Sequence, residues 1–289
     1  MAHILLCNNA AGSFSGNLMR FFMVMAISTI LAMAMFSPAS HASSTFEDAY
    51  FRLEANVFDR NLLGEVVEEL NLSTDGLDKD PWIYLCASMA TLVSGYRIGD
   101  WYSEKTFAPG AAERALDLAE KAKSVAPDLS QAHAHYARIL IIQRKYKMAW
   151  ESLGKAHELD PNSFYSWYFR GIIAEKMRDA GRASGYFDEA EQRVAFDHQR
   201  NLINIHRQKV ARFTKDYAEQ EKLLKQNIEN SPNKSTYYGN YAQFLMAHKR
   251  YEEAVEYWEK AMKIGPYPHA AQKLSEARQL LESESSSAK

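Results

Sequence analysis

Cysteine is almost absent: Cys7 and Cys86 are the only two in 289 residues, so no disulfide framework holds this chain. A surplus of either charge is absent too. Lysine and arginine total 34 and aspartate and glutamate 36, a net charge of −2, which leaves no electrostatic case for nucleic acid. There is no glycine-rich phosphate loop, no HExxH and no GxSxG, so the common marks of nucleotide, zinc-protease and hydrolase chemistry are missing. No two histidines stand at i, i+4. His133 and His135 are two apart, so on a helix they do not face one another and cannot share a metal ion. His133 reads as a packing residue and His135 as a groove or surface residue. Nothing here calls for a cofactor, a metal or a catalytic residue, and the chain reads as a non-enzyme.

Acidic residues are missing from one region in particular. The first 42 positions hold no Asp or Glu and one basic residue, Arg20. The apolar run from Phe21 to Phe36 follows, then SPASHASS. A basic start, an apolar middle and a small-residue exit describe a secretory signal peptide. Cleavage is expected after Ala42, with Ser40 at the −3 site; after Ala39 is the second choice. A retained membrane anchor is the rival reading, but the run has 16 residues where a span needs about 20. Translation could also begin at Met19, next to Arg20. Cys7 does not mark a lipoprotein, since Leu6 precedes it. The mature chain would carry a net charge of −3 (33 − 36), one thiol, and a periplasmic or secreted address. Asn71 and Asn233 lie in N-x-S sequons, which leaves a eukaryotic lumen open.

What the chain does have is repetition. Two helical patterns recur with a period of 34 over residues 130–195. In the second copy Trp167, Gly171, Ala174, Ala183, Phe187 and Ala190 take positions 4, 8, 11, 20, 24 and 27; in the first, His133, Ala137, Leu140, Ala149, Leu153 and Ala156 do, with Pro161 at position 32. Each unit reads as two helices of about a dozen residues, too short to stand alone in water. Small residues at 8, 20 and 27 let the two axes approach, larger ones fill the space around them, and proline ends the second helix. One such pair leaves an apolar face bare, so pairs stack into a solenoid.

These residues resemble the tetratricopeptide repeat (TPR). The resemblance implies an all-α, right-handed solenoid of about six helix-turn-helix hairpins with a C-terminal capping helix. Its units are residues 43–80 (a divergent hairpin, with Ser44 and Glu47 as a capping box, and a linker), 81–129, 130–163, 164–200, 201–234 and 235–267. A capping helix at 268–282 and a disordered tail at 283–289 complete the chain. The final unit carries Tyr238, Tyr241, Ala242, Leu245, Ala254, Trp258 and Ala261 at the family positions, so Ala242, Ala254 and Ala261 are expected at tight helix contacts. The unit at 201–234 is degenerate: Gln208, Gln220 and Asn227 replace small residues, and its helices are expected to sit further apart. The unit at 81–129 carries an insertion at 97–110, rich in aromatics. Tyr96, Trp101, Tyr102 and Phe107 either pack on the adjoining hairpin or form a flap beside the groove. Cys86 falls at a small packing position.

In this family the first helix of each hairpin lines the concave side. Carried over position by position, the groove presents Gln131 and Arg138, then Tyr165, Tyr168 and Ile172, then Leu202, Ile205, Lys209 and Arg212. Aromatic rings beside arginine resemble binding hot spots. The implied partner is a protein or peptide with apolar anchors and an acidic group, and Tyr168 is expected to matter more for binding than for folding. The Lys and Asn clamp by which some family members hold a C-terminal carboxylate is absent, since those positions read Ala134 and Arg138, then Tyr168 and Ile172. The function implied is a protein-binding adaptor in a bacterial envelope or secretion assembly, without stable membrane insertion once the signal is removed. A structural spacer or self-associating scaffold is the alternative.

Overall fold

The structure, a computed structural model, describes residues 45–57, 59–72, 80–97, 99–265 and 268–287. The expected signal peptide, Cys7 and Ser44 of the expected capping box lie outside the described residues. Thirteen α-helices follow one another, with no strand among the described residues. They are α1 (Thr45–Ala55), α2 (Arg60–Leu72), α3 (Pro81–Gly95), α4 (Ala111–Val125), α5 (Ser130–Ile142), α6 (Tyr146–Leu159), α7 (Phe164–Lys176), α8 (Ala180–Glu191), α9 (Asp197–Thr214), α10 (Tyr217–Asn230), α11 (Ser235–Ala247), α12 (Tyr251–Ile264) and α13 (Pro268–Ser287).

Local chemistry sets the helix starts. Asp80 accepts a bond from the Trp82 backbone N–H at 2.9 Å and Pro81 occupies the first helical position, where its missing N–H costs nothing. Asp179 and Asp216 cap α8 and α10 in the same way. At the start of α9, Gln199 Oε1 accepts from the N–H groups of Ala195 at 2.8 Å and Phe196 at 3.2 Å. Pro127, Pro161 and Pro232 stand just beyond α4, α6 and α10, where the chain leaves the helix.

The helices pack mainly as the pairs α3/α4, α5/α6, α7/α8, α9/α10 and α11/α12, stacked in order, with α13 against α12. In the regular pairs small side chains decide where the helices touch. Ala149, Ala156, Ala183, Ala190, Ala242, Ala254 and Ala261 are fully buried. At Gly171 a Cβ would lie 2.4 Å from the Phe187 ring, so only glycine admits that approach. Trp167 is different: half-buried, it lies beneath the Arg170 and Arg193 guanidinium groups at 5.3 and 5.1 Å. In the degenerate unit, Asn201 donates to Ser231 Oγ at 2.9 Å and accepts from Asn230 Nδ2 at 3.2 Å. These polar contacts join the start of α9 to the end of α10.

Two departures from the expected layout stand out. First, α1 and α2 hardly touch one another, and both pack on α3. The apolar side of α1 (Phe46, Ala49, Tyr50 and Leu53) is spent on the solenoid rather than on a hairpin partner. Second, α13 runs through Ser287 instead of ending at 282. Ser283, Ser285 and Ser286 donate to carbonyls three or four residues back, so the serines satisfy the helix instead of breaking it.

Candidate functional site

The first helices of the hairpins, α3, α5, α7, α9 and α11, carry the face on which the sequence places the groove. Two segments of the same chain lie on it. Helix α1 crosses α3, α5, α7 and α9. Tyr50 meets Trp82 of α3, ring centroids 5.8 Å apart, and His135 of α5 at 5.3 Å. Phe51 stacks on Tyr165 of α7 at 6.4 Å, and Glu54 reaches His198 of α9 at 3.5 Å. Asn56, just past α1, accepts from Lys234 Nζ at 2.9 Å, one residue before α11.

The insertion crosses nearer the C-terminal ends. Tyr102 packs on Phe169 and on His206, at 6.3 and 5.3 Å. Asp100 pairs with Lys176 of α7 and, at 3.0 Å, with Lys209 of α9. A Tyr96–Phe107 bridge and the Tyr96 hydroxyl, which donates to Gly99 O at 2.6 Å, hold the loop in shape. Its aromatics thus do both things the sequence allowed: Tyr96 and Phe107 pack at the base while Tyr102 lies in the groove.

Beneath α1 a carboxylate is fully enclosed. Glu54 pairs with Arg138 and accepts from the Tyr165 hydroxyl. The Arg138 guanidinium also lies over the rings of Phe169, Tyr165 and Tyr50, at 5.0, 5.8 and 5.9 Å. Burying an ion pair costs desolvation, which the Tyr165 hydrogen bond and the surrounding rings help to offset.

A second polar chain runs beside it with a single consistent direction. Gln131 Nε2 donates to Tyr50 Oη at 3.2 Å; Tyr50 O–H lies 3.0 Å from His135 Nδ1; His135 Nε2 lies 2.8 Å from Ser88 Oγ; and Ser88 donates to Ala115 O at 2.7 Å. Because the Ser88 proton goes to a carbonyl, Ser88 accepts from His135 Nε2–H, and with Tyr50 donating to Nδ1 the ring is neutral. Burial pushes the His135 pKa down to about 3, in agreement. The expectation of a groove or surface role for His135 fails because α1 covers it.

Under the loop, burial pushes the Asp100 carboxyl up, but Lys209 and Lys176 outweigh it and hold it well below the usual carboxylate range. Burial likewise opposes ionisation of Glu175, and His206 with the same lysines overcomes it. Cys86 is fully buried, and burial followed by the field of Glu69 pushes its thiol up to about 12, so it is inert packing.

The residues expected to meet a partner divide in two. Gln131, Arg138, Tyr165, Tyr168 and Ile172 are brought together but are buried under α1 and the loop, Tyr168 and Ile172 completely. The expectation of an open groove there is corrected: the chain fills it. Leu202, Ile205 and Lys209 are half-buried and Arg212 is exposed. Further along, Thr236, Gln243 and Ala247 of α11 are exposed. Sequence reasoning missed the occupant itself. Its signal was present in α1, where Tyr50, Leu53 and Glu54 combine aromatic and aliphatic anchors with an acid. Among the described residues no three His, Cys, Asp or Glu side chains gather as metal ligands would, and no helix is long and apolar enough to cross a membrane.

Stacked helix pairs, most of them with glycine- and alanine-sized contacts at the repeat positions, decide the architecture. The fold is a TPR-like solenoid. Among solved structures it is similar to PilF of Pseudomonas aeruginosa, at 18% identity over 72% of this chain and 90% of that one, with a TM-score of 0.52. It also aligns with YrrB, described as a TPR protein with an unusual peptide-binding site, at 17% identity over 73% and 97% of the two chains and a TM-score of 0.41. PilW, described as a widely conserved type IV pilus biogenesis factor, aligns at 16% identity over 60% and 80% with a TM-score of 0.49. At such identities the likeness concerns the fold alone. No protein-family model matches the chain, and no curated relative does.

Proposed function

We propose that this chain is a non-enzymatic protein-interaction module, an adaptor of a bacterial envelope or secretion assembly, which takes a partner protein on the part of its concave face left free by its own segments. One observation carries the reading: the solenoid already binds a helix in its groove. Helix α1 is held there by aromatic and aliphatic anchors and one carboxylate, the helix-in-groove mode of peptide recognition. That occupant ends beside Lys234. The surface beyond it, with Arg212, Thr236 and Gln243 exposed, is where a second ligand would lie. The periplasmic address rests on the charge-poor, apolar N-terminal 42 residues.

The scaffold alternative relied on the loop near Trp101 as a contact between copies. That loop turns inward, with Tyr102 and Phe107 buried, which favours the binding reading. The test is a photo-crosslinking residue at Gln243, on the free concave face, and another at Lys260, exposed on α12. A protein captured from the native cell at position 243 and not at 260 is the expected result. The same background adducts at both positions would remove the groove from consideration.

A further inference from the structure

Four hairpin turns share an unusual backbone feature. Arg144, Arg178, Lys215 and Lys249 have φ of 59, 60, 63 and 60°, and they are the only non-glycine residues with positive φ among those described. Each follows the first helix of its hairpin, where glycine or asparagine is the usual choice because a Cβ is strained in the left-handed region. Here every such position carries a cation, and all four are exposed. Strain kept at equivalent sites, always under the same charge, points to a use for that charge.

The turn between α5 and α6 goes further. Arg144, Lys145 and Lys147 lie within four residues, all exposed. Lys145 occupies the cap position of α6 with no capping side-chain bond, and the first turn of α6 holds no acid. Cations at a helix N-terminus face the positive end of its dipole, so this arrangement is locally unfavourable. The neighbouring turns relieve the same problem with Asp179 and Asp216. None of Arg144, Lys145, Lys147, Arg178, Lys215 and Lys249 forms an ion pair among the described residues. The Arg178 guanidinium lies 5.7 Å from the Phe213 ring near the end of α9, so the turns of adjacent hairpins are neighbours on one edge. Stacked helices are spaced by about 10 Å, so the cations form a line. Exposed long side chains neighbour them in sequence: Met177 is 64% exposed, Met148 48% and Tyr217 46%.

We propose that this edge docks on the surface of an anionic lipid bilayer. The cations are exposed on a row of turns along one edge, which suits a flat, extended array of negative charge better than a single peptide. Flexible thioethers and a tyrosine beside them suit the headgroup layer, where amphipathic surfaces gain from shallow insertion. This edge adjoins the concave face where Arg178 lies over Phe213, but its cations are not among the residues proposed to meet the partner there.

The test uses the full chain as processed by its expressing cell, sedimented with vesicles of phosphatidylcholine alone or with phosphatidylglycerol added. An apolar N-terminal segment, if retained, binds both kinds alike, so the readout is the ratio between them. Each cation near such a surface contributes roughly fivefold in affinity, so the triple variant K145Q/K147Q/R178Q should lose about a hundredfold of the preference for anionic vesicles. The control K121Q/K155Q/K260Q removes the same charge from exposed helix positions outside these turns and should keep most of that preference. Circular dichroism should show both variants folded, as the sites are exposed. No preference for anionic vesicles, or equal losses in the two triple variants, overturns the proposal. Binding to soluble polyglutamate but not to vesicles overturns it in favour of an acidic protein partner.

Discussion

The concave face has two regions built from the same repeat and finished differently. From α3 to α9 it is covered by α1 and the loop, and its polar side chains are paired inside: Glu54 with Arg138, Asp100 with Lys176 and Lys209, His135 with Tyr50 and Ser88. At the end of α9 and along α11 it is open, with Arg212, Thr236 and Gln243 exposed. The apolar clusters follow the same division. Leu224, Tyr241, Leu245, Trp258 and Ala277 gather in a cluster of their own, apart from the two that include α1 and the loop. A position in a repeat therefore does not say whether a side chain meets a ligand, because a neighbour outside the repeat can take the place first.

Substitutions measure how deep that division runs. The largest effects belong to the covered region. Tyr168→Ala should lower the unfolding free energy by about 3–5 kcal/mol, since a fully buried ring is lost with no collapse to fill the space. Urea denaturation reads this directly, and a variant as stable as the parent would mean the cover is loose. Arg138→Ala should cost a similar amount, about 3–5 kcal/mol, because it strands the buried Glu54 carboxylate.

The pH profile is next. His135 has its folded pKa pushed down to about 3, against an unfolded value near 6.5. The unfolded chain therefore binds more protons than the folded one below pH 6.5. Stability is complete above that value and falls as pH drops towards 3. Between pH 7 and pH 5 this one group should remove roughly 2 kcal/mol, which His135→Gln would abolish from the slope in a pH series of melts. An unchanged slope would show that His135 is solvated, and hence that α1 leaves that part of the face. Smallest of all, Arg212→Ala in the open region should change stability by less than about 0.5 kcal/mol. A loss there as large as at Arg138 would erase the distinction between the two regions.

Much of the architecture was legible because it rests on local spacing. Gly171, Ala183 and Phe187 announce their contact by size and interval, and the structure shows why: no side chain fits between Gly171 and the Phe187 ring. The occupancy of the groove was not legible, because it depends on residues far apart in sequence. Glu54 and Tyr165 are separated by 111 positions, and no period links them. His135 was misjudged for the same reason, since its exposure depends on Tyr50, 85 positions earlier. Tyr168 sits at a groove position in the repeat, but what covers it comes from an insertion and an N-terminal helix that lie outside the pattern.

Stacked repeats normally make contacts only with their neighbours, and each can form as soon as the one before it is in place. Helix α1 breaks that rule. It leads the described part of the chain, yet Tyr165 and His198, which enclose its carboxylate, come more than a hundred positions later. Its final docking must wait for α9, which adds a slow, long-range step to an otherwise nearest-neighbour assembly. Once closed, the helix ties four hairpins into one cooperative unit, so this stretch should open all at once rather than fray from its end.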